Sequence, residues 1–373
     1  MPEEPSAGAP APGRQRLIAA IVYSGTAVVC LLLFVGFFVP RVWLKPFPRA
    51  PMRLEGDWMM QPDPEIGYVP KPNAVTVWRN ARSPGMFHVY TDRRGARVNA
   101  PGEQTPAHVD FLTVGCSFSW GYQMENEESY TELLARRLGR RGANLANAGY
   151  SGLNALQMLK RNLDLRPRVV IYGVINAQLM RNLWPCGPSF APFCVPVSYV
   201  ALDERRKPFV HPPNFRYFDP ELNRRFFDEV FMRAPGLSWN DVIWRMRVDL
   251  LGYRDRGAFL RATTPVAERK AQNLVFRQMV AATDSIGAQL LVVFIPSCAR
   301  GRVNGPVWGL RRSLAGRSFA YVSLQRAFAE HYADPEAPAL DIPNDGHPNG
   351  IAHALIAREL APVLGRLLAG STR

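Results

Sequence analysis

Two polar segments that lie far apart in the chain carry side chains that together could attack an ester. Ser117 follows the apolar run 111–115 and precedes a segment of helical character. His347 lies in the polar turn 344–350, with the carboxylate of Asp345 two residues before it. A serine attacks an acyl group when an imidazole takes its proton and a carboxylate orients that imidazole. These residue types therefore predict a serine-type acyl-transfer site.

Two roles in this site have rival residues. Asp341, at the end of a predicted strand, competes with Asp345 as the acid that orients the imidazole. Cys116 is a rival nucleophile, although its side chain should point away from that of its neighbour Ser117. Ser117 and Asp345 are the preferred assignments.

The same region offers hydrogen-bond donors for a developing negative charge. Gly149 and Asn176 each follow a predicted strand. Together with the Ser117 N–H, the Gly149 N–H and the Asn176 side-chain amide would form an oxyanion hole. Loss of one donor from such a hole typically costs about 10²- to 10³-fold in rate.

Strands and helices alternate from about residue 109, and this pattern predicts how the site is positioned. Strands separated by helices imply a parallel sheet with right-handed crossovers. Open α/β sheets carry their chemistry at the carboxyl ends of the strands, where Ser117 stands. The predicted strands are 109–115, 143–148, 168–175, 289–296 and 337–342, and the predicted helices are 127–138, 152–163, 266–286, 318–332 and one from about residue 350.

Composition divides the chain into a tail, an anchor and a large α/β domain. Residues 1–16 are rich in Pro, Ala and Gly, which favours a disordered tail. Residues 17–39 contain no charge and are long enough to cross a bilayer, which predicts an uncleaved transmembrane signal anchor. Residues 40–107 are interpreted as an extension packed on the main domain. That domain is expected over 108–369, with an insertion at about 177–262 that covers the active face.

The charge of the chain bears on its partners and on its location. The 373 residues carry a net charge of +14, but the arginines are scattered and form no nucleic-acid-binding pattern. We expect no nucleic-acid partner, and the six histidines show no metal-ligand spacing. Basic residues flank both ends of the apolar stretch, and a plain count places the domain on the cytoplasmic side. Because long domains cross largely regardless of charge, we predict a single-pass protein with a periplasmic or extracytoplasmic domain.

The cysteines bear on the same question. Cys186 and Cys194 bracket a short Pro-rich loop and could close a disulfide in an oxidising compartment. Free thiols, or pairing of either residue with Cys298, are the alternatives.

Four segments of the chain resemble, in order, the conserved blocks of the SGNH (GDSL-type) hydrolase and acyltransferase superfamily. Segments 65–73 and 90–97 also resemble the lead-in of membrane-anchored bacterial members. The sequence departs from the family pattern at Cys116, where the usual residue is Asp, and at Ala177, where an acid is common. Many members also carry the acid three residues before the histidine, a place that Asn344 occupies. The four blocks are Gly115-Cys-Ser117 with Phe118 and Gly121, Asn147-Ala-Gly149 with Gly152, Gly173-Val-Ile-Asn176, and Asp345-Gly-His347-Pro-Asn-Gly350.

The resemblance implies a fold and a set of roles. The fold would be a flavodoxin-like three-layer α/β/α sandwich with a parallel sheet of about five strands, without a metal or organic cofactor. Ser117 would be the nucleophile, His347 its base and Asp345 the orienting acid, and Ser117, Gly149 and Asn176 would form the oxyanion hole.

The activity implied is that of an esterase that removes O-acyl groups, above all acetyl, from a cell-envelope carbohydrate or lipid. An O-acyltransferase acting on surface polysaccharide is the alternative from the same family. A catalytically inactive envelope protein that binds or assembles polysaccharide is the alternative from another class. Other protein partners are not indicated by the sequence.

Overall fold

The structure is a computed structural model that describes residues 12–34, 52–57, 59–80, 85–187, 195–213, 264–299, 302–315, 319–343 and 345–370. The chain divides into two compact units, residues 1–51 and residues 52–373. The first unit contains helix α1, Pro12–Leu33. Its segment Arg16–Leu33 has a mean hydropathy of 2.1 and is long and apolar enough to cross a membrane, a property that signal sequences share. Residues 35–39 of the predicted anchor lie outside the described residues.

The second unit contains the sheet and the remaining helices. The strands among the described residues are, in chain order, β1 Met52–Gly56, β2 Met60–Asp63, β3 Gly67–Pro70, β4 Val75–Asn80, β5 Gly85–Thr91, β6 Arg97–Val98, β7 Phe111–Gly115, β8 Gly142–Asn144, β9 Val169–Val174, β10 Cys186–Gly187, β11 Val195–Pro196, β12 Tyr199–Leu202, β13 Pro208–His211, β14 Gln289–Phe294, β15 Cys298–Ala299, β16 Arg302–Val303 and β17 Ala320–Ser323. Among the described residues, the α-helices that follow α1 are α2 Ser117–Trp120, α3 Tyr130–Leu138, α4 Gly152–Arg161, α5 Ala177–Arg181, α6 Pro265–Asp284, α7 Trp308–Leu314, α8 Gln325–His331 and α9 Gly350–Gly370.

The central sheet confirms the predicted topology. Its nine strands run in the order β1-β4-β5-β6-β8-β7-β9-β14-β17. The pairs β8–β7, β7–β9, β9–β14 and β14–β17 are all parallel. Numbered along the chain, these five strands have the order 2-1-3-4-5, which is the flavodoxin-like order. In this arrangement the carboxyl ends of β7 and β9 lie side by side, with Gly115 opposite Gly173.

Apolar residues cover both faces of the parallel strands and create three layers. Leu112, Val170 and Val292 belong to one buried cluster, which includes residues of α4 and α6. The residues that precede or follow them, such as Phe111 and Ile171, belong to a second cluster with α3 and α9. Successive side chains of a strand point to opposite faces, so each strand contributes to both clusters. The predicted α/β/α sandwich is therefore confirmed.

Antiparallel strands extend this sheet beyond β8. Strand β1 pairs with β4, β4 with β5, and β5 with β6. The short strand β6 then joins the parallel part through Arg97, which lies opposite Asn144 of β8. Strands from the segment 52–98 thus continue the same sheet that carries the candidate site.

The last parallel strand is the main error of the sequence-based prediction. The structure places it at β17, inside the segment 318–332 that was expected to be helical, and only α8 of that segment is a helix. Residues 337–342 form no strand, and Asp341 makes only an isolated bridge to Pro348. Strand β17 is short and only half-buried, so its sequence lacks the continuous apolar run of a central strand. The helices predicted at 152–163 and 266–286 correspond to α4 and α6.

Of the predicted insertion 177–262, residues 177–187 and 195–213 are described. They contain α5 and the antiparallel pairs β10–β11 and β12–β13.

Candidate active site

Ser117 lies on a tight turn between β7 and the short helix α2. Cys116 has extended backbone angles, and its carbonyl accepts from the N–H groups of Ser119 and Trp120 at 2.9 and 3.0 Å. Gly115 is required at the strand end, because a Cβ there would lie 2.6 Å from the Ser119 Oγ. This turn ends the strand and starts the helix at Ser117, whose side chain is largely buried.

The His347 side chain contacts that of Ser117. The His347 Nε2 lies 2.9 Å from the Ser117 Oγ, and the His347 Nδ1 makes a short contact with the Asp345 Oδ1. A proton on Nδ1 that is donated to the carboxylate leaves the Nε2 lone pair facing the hydroxyl. The structure therefore brings together the three residues that the sequence selected as nucleophile, base and orienting acid.

The loop that carries His347 is held by its own backbone hydrogen bonds. The Ile342 N–H donates to the His347 carbonyl at 2.8 Å, and the Asp345 N–H donates to the Ile342 carbonyl at 3.1 Å. The Asn349 side chain then accepts from the Ala352 N–H at the start of α9. The rival acid Asp341 instead accepts from the Tyr332 hydroxyl at 3.4 Å. Asp345, and not Asp341, is the carboxylate that contacts the imidazole.

Phe118, Tyr122 and Gln123 support this triad. The sequence marked Phe118 only as part of a family block and gave no sign of the other two. The Gln123 amide donates to the Asp345 Oδ2 at 3.2 Å. The Tyr122 and Phe118 rings lie 4.3 and 5.2 Å, centroid to centroid, from the His347 imidazole. Burial raises the pKa of Tyr122 to about 12, so this phenol stays neutral beside the imidazole. The rings restrict the imidazole, and the amide orients the carboxylate.

A buried arginine holds the turn that presents these side chains. Arg97 is 3% exposed, and its guanidinium donates to the Trp120 carbonyl at 2.9 Å and to the Gly121 and Met124 carbonyls. Burial lowers the pKa of Arg97 to about 10, which leaves it charged at neutral pH. Arg97 lies on β6 in the N-terminal part of the sheet, and no local motif links it to the site. Only the three-dimensional structure reveals this contact.

The predicted oxyanion donors lie at neighbouring strand ends. Strand β8 ends at Asn144, earlier than predicted. Beyond it, the Leu145 and Asn147 N–H groups still donate to the Thr113 and Gly115 carbonyls of β7, at 2.9 and 3.2 Å. This pairing places the turn of Gly149, whose φ is +76°, next to the end of β7.

The Asn176 side chain makes two hydrogen bonds that the sequence did not indicate. Its Nδ2 donates to the Gly305 carbonyl at 2.9 Å, and its Oδ1 accepts from the Val307 N–H at 2.9 Å. The side chain therefore anchors the segment 305–307. The Nδ2 carries two hydrogens, so one remains for an oxyanion.

The cysteines divide into buried and untested groups. Cys116 is fully buried among apolar residues on the α3–α9 side of the sheet, and burial raises the pKa of its thiol. A buried neutral thiol is a poor nucleophile, which favours Ser117. Cys298 is a free thiol, so it is not a disulfide partner. Cys194 lies outside the described residues, so the predicted Cys186–Cys194 pair stays a prediction.

Acidic, histidine and cysteine side chains do not gather into a metal site within the part of the chain that the structure describes. The triad and its supporting residues can move a proton and attack a carbonyl without a further group.

Solved structures resemble this chain at low sequence identity. No protein-family model and no curated protein matches the chain. The chain is similar to TesA, with 14% identity over 69% of this chain and 98% of that one, at a TM-score of 0.36. It is also similar to a family two carbohydrate esterase from Cellvibrio japonicus, with 11% identity over 85% of this chain and 82% of that one, at a TM-score of 0.35. An acetyl xylan esterase from Butyrivibrio proteoclasticus has 10% identity over 72% of this chain and 66% of that one, at a TM-score of 0.34. At such low identities and TM-scores, the assignment of function depends on the site itself.

Proposed function

We propose that this protein is a serine esterase of the SGNH type that removes O-acyl groups from a cell-envelope carbohydrate or lipid. The observation that carries the proposal is the 2.9 Å contact between the His347 Nε2 and the Ser117 Oγ, with Asp345 behind the imidazole. The residues come from separate ends of the domain and meet at the carboxyl edge of a parallel sheet, where such folds carry their chemistry.

The reaction follows from the positions of these atoms. The Ser117 Oγ attacks the ester carbonyl while the His347 Nε2 takes its proton, and Asp345 stabilises the imidazolium. The Ser117 and Gly149 N–H groups and the free Asn176 amide hydrogen are proposed to hold the oxyanion. The alcohol then leaves with the proton from His347, and an acyl-enzyme ester remains on Ser117. Water attacks this ester with His347 as base, which releases the acid and restores the serine.

The apolar helix α1 supports an envelope location. Helix α1 is apolar enough to span a membrane. With a long domain behind such an anchor, we propose a periplasmic or extracytoplasmic site that acts on acetylated surface carbohydrate. Transfer of the acyl group to a sugar hydroxyl instead of water would use the same triad.

Acetate release tests the proposal. We would incubate the full-length protein in detergent with acetylated oligosaccharides and p-nitrophenyl acetate, with and without an unacetylated sugar acceptor. Ser117→Ala should reduce turnover at least about 10³-fold, since it removes the nucleophile. Ser285→Ala, which alters an exposed hydroxyl at the end of α6, is the matched control and should retain activity.

Each outcome has a defined meaning. Acetate release that depends on Ser117 supports the esterase, and acetyl transfer to the added sugar would identify a transferase. No turnover of any acyl substrate by folded protein would contradict both and favour the inactive binding protein.

A further inference from the structure

Two arginine side chains lie over the ring of an exposed tryptophan at the start of α7. Trp308 is 50% exposed. The guanidinium carbons of Arg269 and Arg312 lie 5.4 and 6.0 Å from the centroid of its ring. Within the described residues, neither guanidinium forms an ion pair with a carboxylate. The indole and the two arginines are called the Trp308 platform below.

The Trp308 platform is tied to the candidate active site through Asn176. The Asn176 side chain bonds Gly305 and Val307, and Trp308 is the next residue along the chain. Asn176 follows β9, which pairs directly with β7, the strand that leads to Ser117. Adjacent strands lie about 4.8 Å apart. The platform therefore lies on the same edge of the sheet as the nucleophile.

Packing fixes the Trp308 platform in place. Helix α7 packs along α6, and Gly309 lies so close to the Leu179 side chain that a Cβ would come within 3.0 Å of it. The Arg311 Nε donates to the Pro306 carbonyl at 2.6 Å. A ring carried on a packed helix loses less conformational entropy on binding than one carried on a free loop, so this surface is favourable for binding.

We propose that the Trp308 platform binds a sugar unit that carries a negative charge, so that the substrate is an O-acylated acidic polysaccharide. This inference rests on the proposed esterase function and specifies its substrate class. The exposed half of the indole can contact the apolar face of a sugar ring. The two guanidinium groups, which form no ion pair within the described residues, can bind a carboxylate. The net charge of +14 also favours an anionic polymer.

Binding to a catalytically disabled protein tests the platform separately from turnover. We would titrate full-length Ser117→Ala protein in detergent with oligogalacturonate, a neutral mannan oligosaccharide of equal length, and an oligothymidylate, by calorimetry. The acidic sugar should bind best. Trp308→Ala should weaken its binding about tenfold. The double variant Arg269→Gln, Arg312→Gln should weaken binding of the acidic sugar about fivefold or more and lower its salt dependence.

Two exposed residues elsewhere supply matched controls. Met86→Ala removes another large exposed apolar side chain, on β5, and Arg141→Gln removes another exposed guanidinium, just before β8. Neither should change the binding constant, and thermal unfolding would establish that all variants fold.

Equal binding of the neutral sugar, tighter binding of the oligothymidylate, or unchanged affinity after Trp308→Ala would overturn the inference. If the protein bound the acidic sugar selectively but hydrolysed no ester, the proposed triad would be contradicted and the proposed role of the Trp308 platform would not.

Discussion

The hydrogen bond from Gln123 to Asp345 gives a quantitative prediction about the triad. A hydrogen bond to a charged group contributes about 1.5–3 kcal/mol. This one is 3.2 Å long, and 26% of the Asp345 side chain is exposed, so water can replace part of it. We therefore expect Gln123→Met to raise the barrier by about 1 kcal/mol, which is about fivefold in kcat, with KM unchanged. Initial rates on p-nitrophenyl acetate would measure it.

A double-mutant cycle shows whether Gln123 acts through Asp345. In an Asp345→Asn background the effect of Gln123→Met should largely disappear, because the carboxylate that the amide orients is gone. Gln278→Met is the control, since the Gln278 side chain accepts from Lys160 at 2.8 Å on an exposed surface of α6. If Gln123→Met slowed both backgrounds equally, or slowed neither, the proposed support of the triad would be refuted.

Three further predictions concern other parts of the structure. Gly173→Ala should lower the free energy of unfolding by about 1–3 kcal/mol in urea titrations, because the added Cβ would lie 2.0 Å from the Ser119 Oγ. Adding Ser119→Ala should restore most of that stability. Asn176→Ala should lower kcat about 10²- to 10³-fold, because it removes an oxyanion donor. A rise in KM with kcat unchanged would mean that Asn176 only anchors the segment 305–307. Burial lowers the pKa of His353 from 6.5 to about 3. Between about pH 6.5 and pH 3 the unfolded chain binds a proton on this imidazole that the folded protein does not, so the free energy of unfolding decreases as the pH is lowered. By pH 4.5 this costs about 2–3 kcal/mol, and His353→Asn, which can still accept from Tyr130, should flatten that slope in denaturation curves.

Much of the fold could be predicted because the central strands are buried on both faces. The runs that became β7, β9 and β14 are continuously apolar, a pattern that such strands require. Alternation with helices then fixed a parallel sheet, and the polar residues at its carboxyl edge selected Ser117 and His347. These signals are local in sequence and need no knowledge of long-range contacts.

The parts that escaped prediction depend on contacts between distant segments. Strand β17 is half-buried, so its four residues carry no pattern that separates them from the neighbouring helix. Arg97 reaches the carbonyls after the candidate nucleophile from an antiparallel strand, and Asn176 is bonded to segment 305–307. The choice of Asp345 over Asp341 as the acid that contacts the imidazole also depends on how the loop before α9 folds. The chemical type of these side chains can be read from the sequence, but their hydrogen-bond partners are set by the folded structure.

Covalent labelling would show whether Ser117 is the nucleophile and whether His347 activates it. We would treat the full-length protein with a fluorophosphonate, digest it and locate the adduct by mass spectrometry. We expect an adduct on Ser117 that forms rapidly in the wild type and is almost absent in folded His347→Gln protein. Labelling of a different residue, or labelling of Ser117 at the same rate without His347, would contradict it.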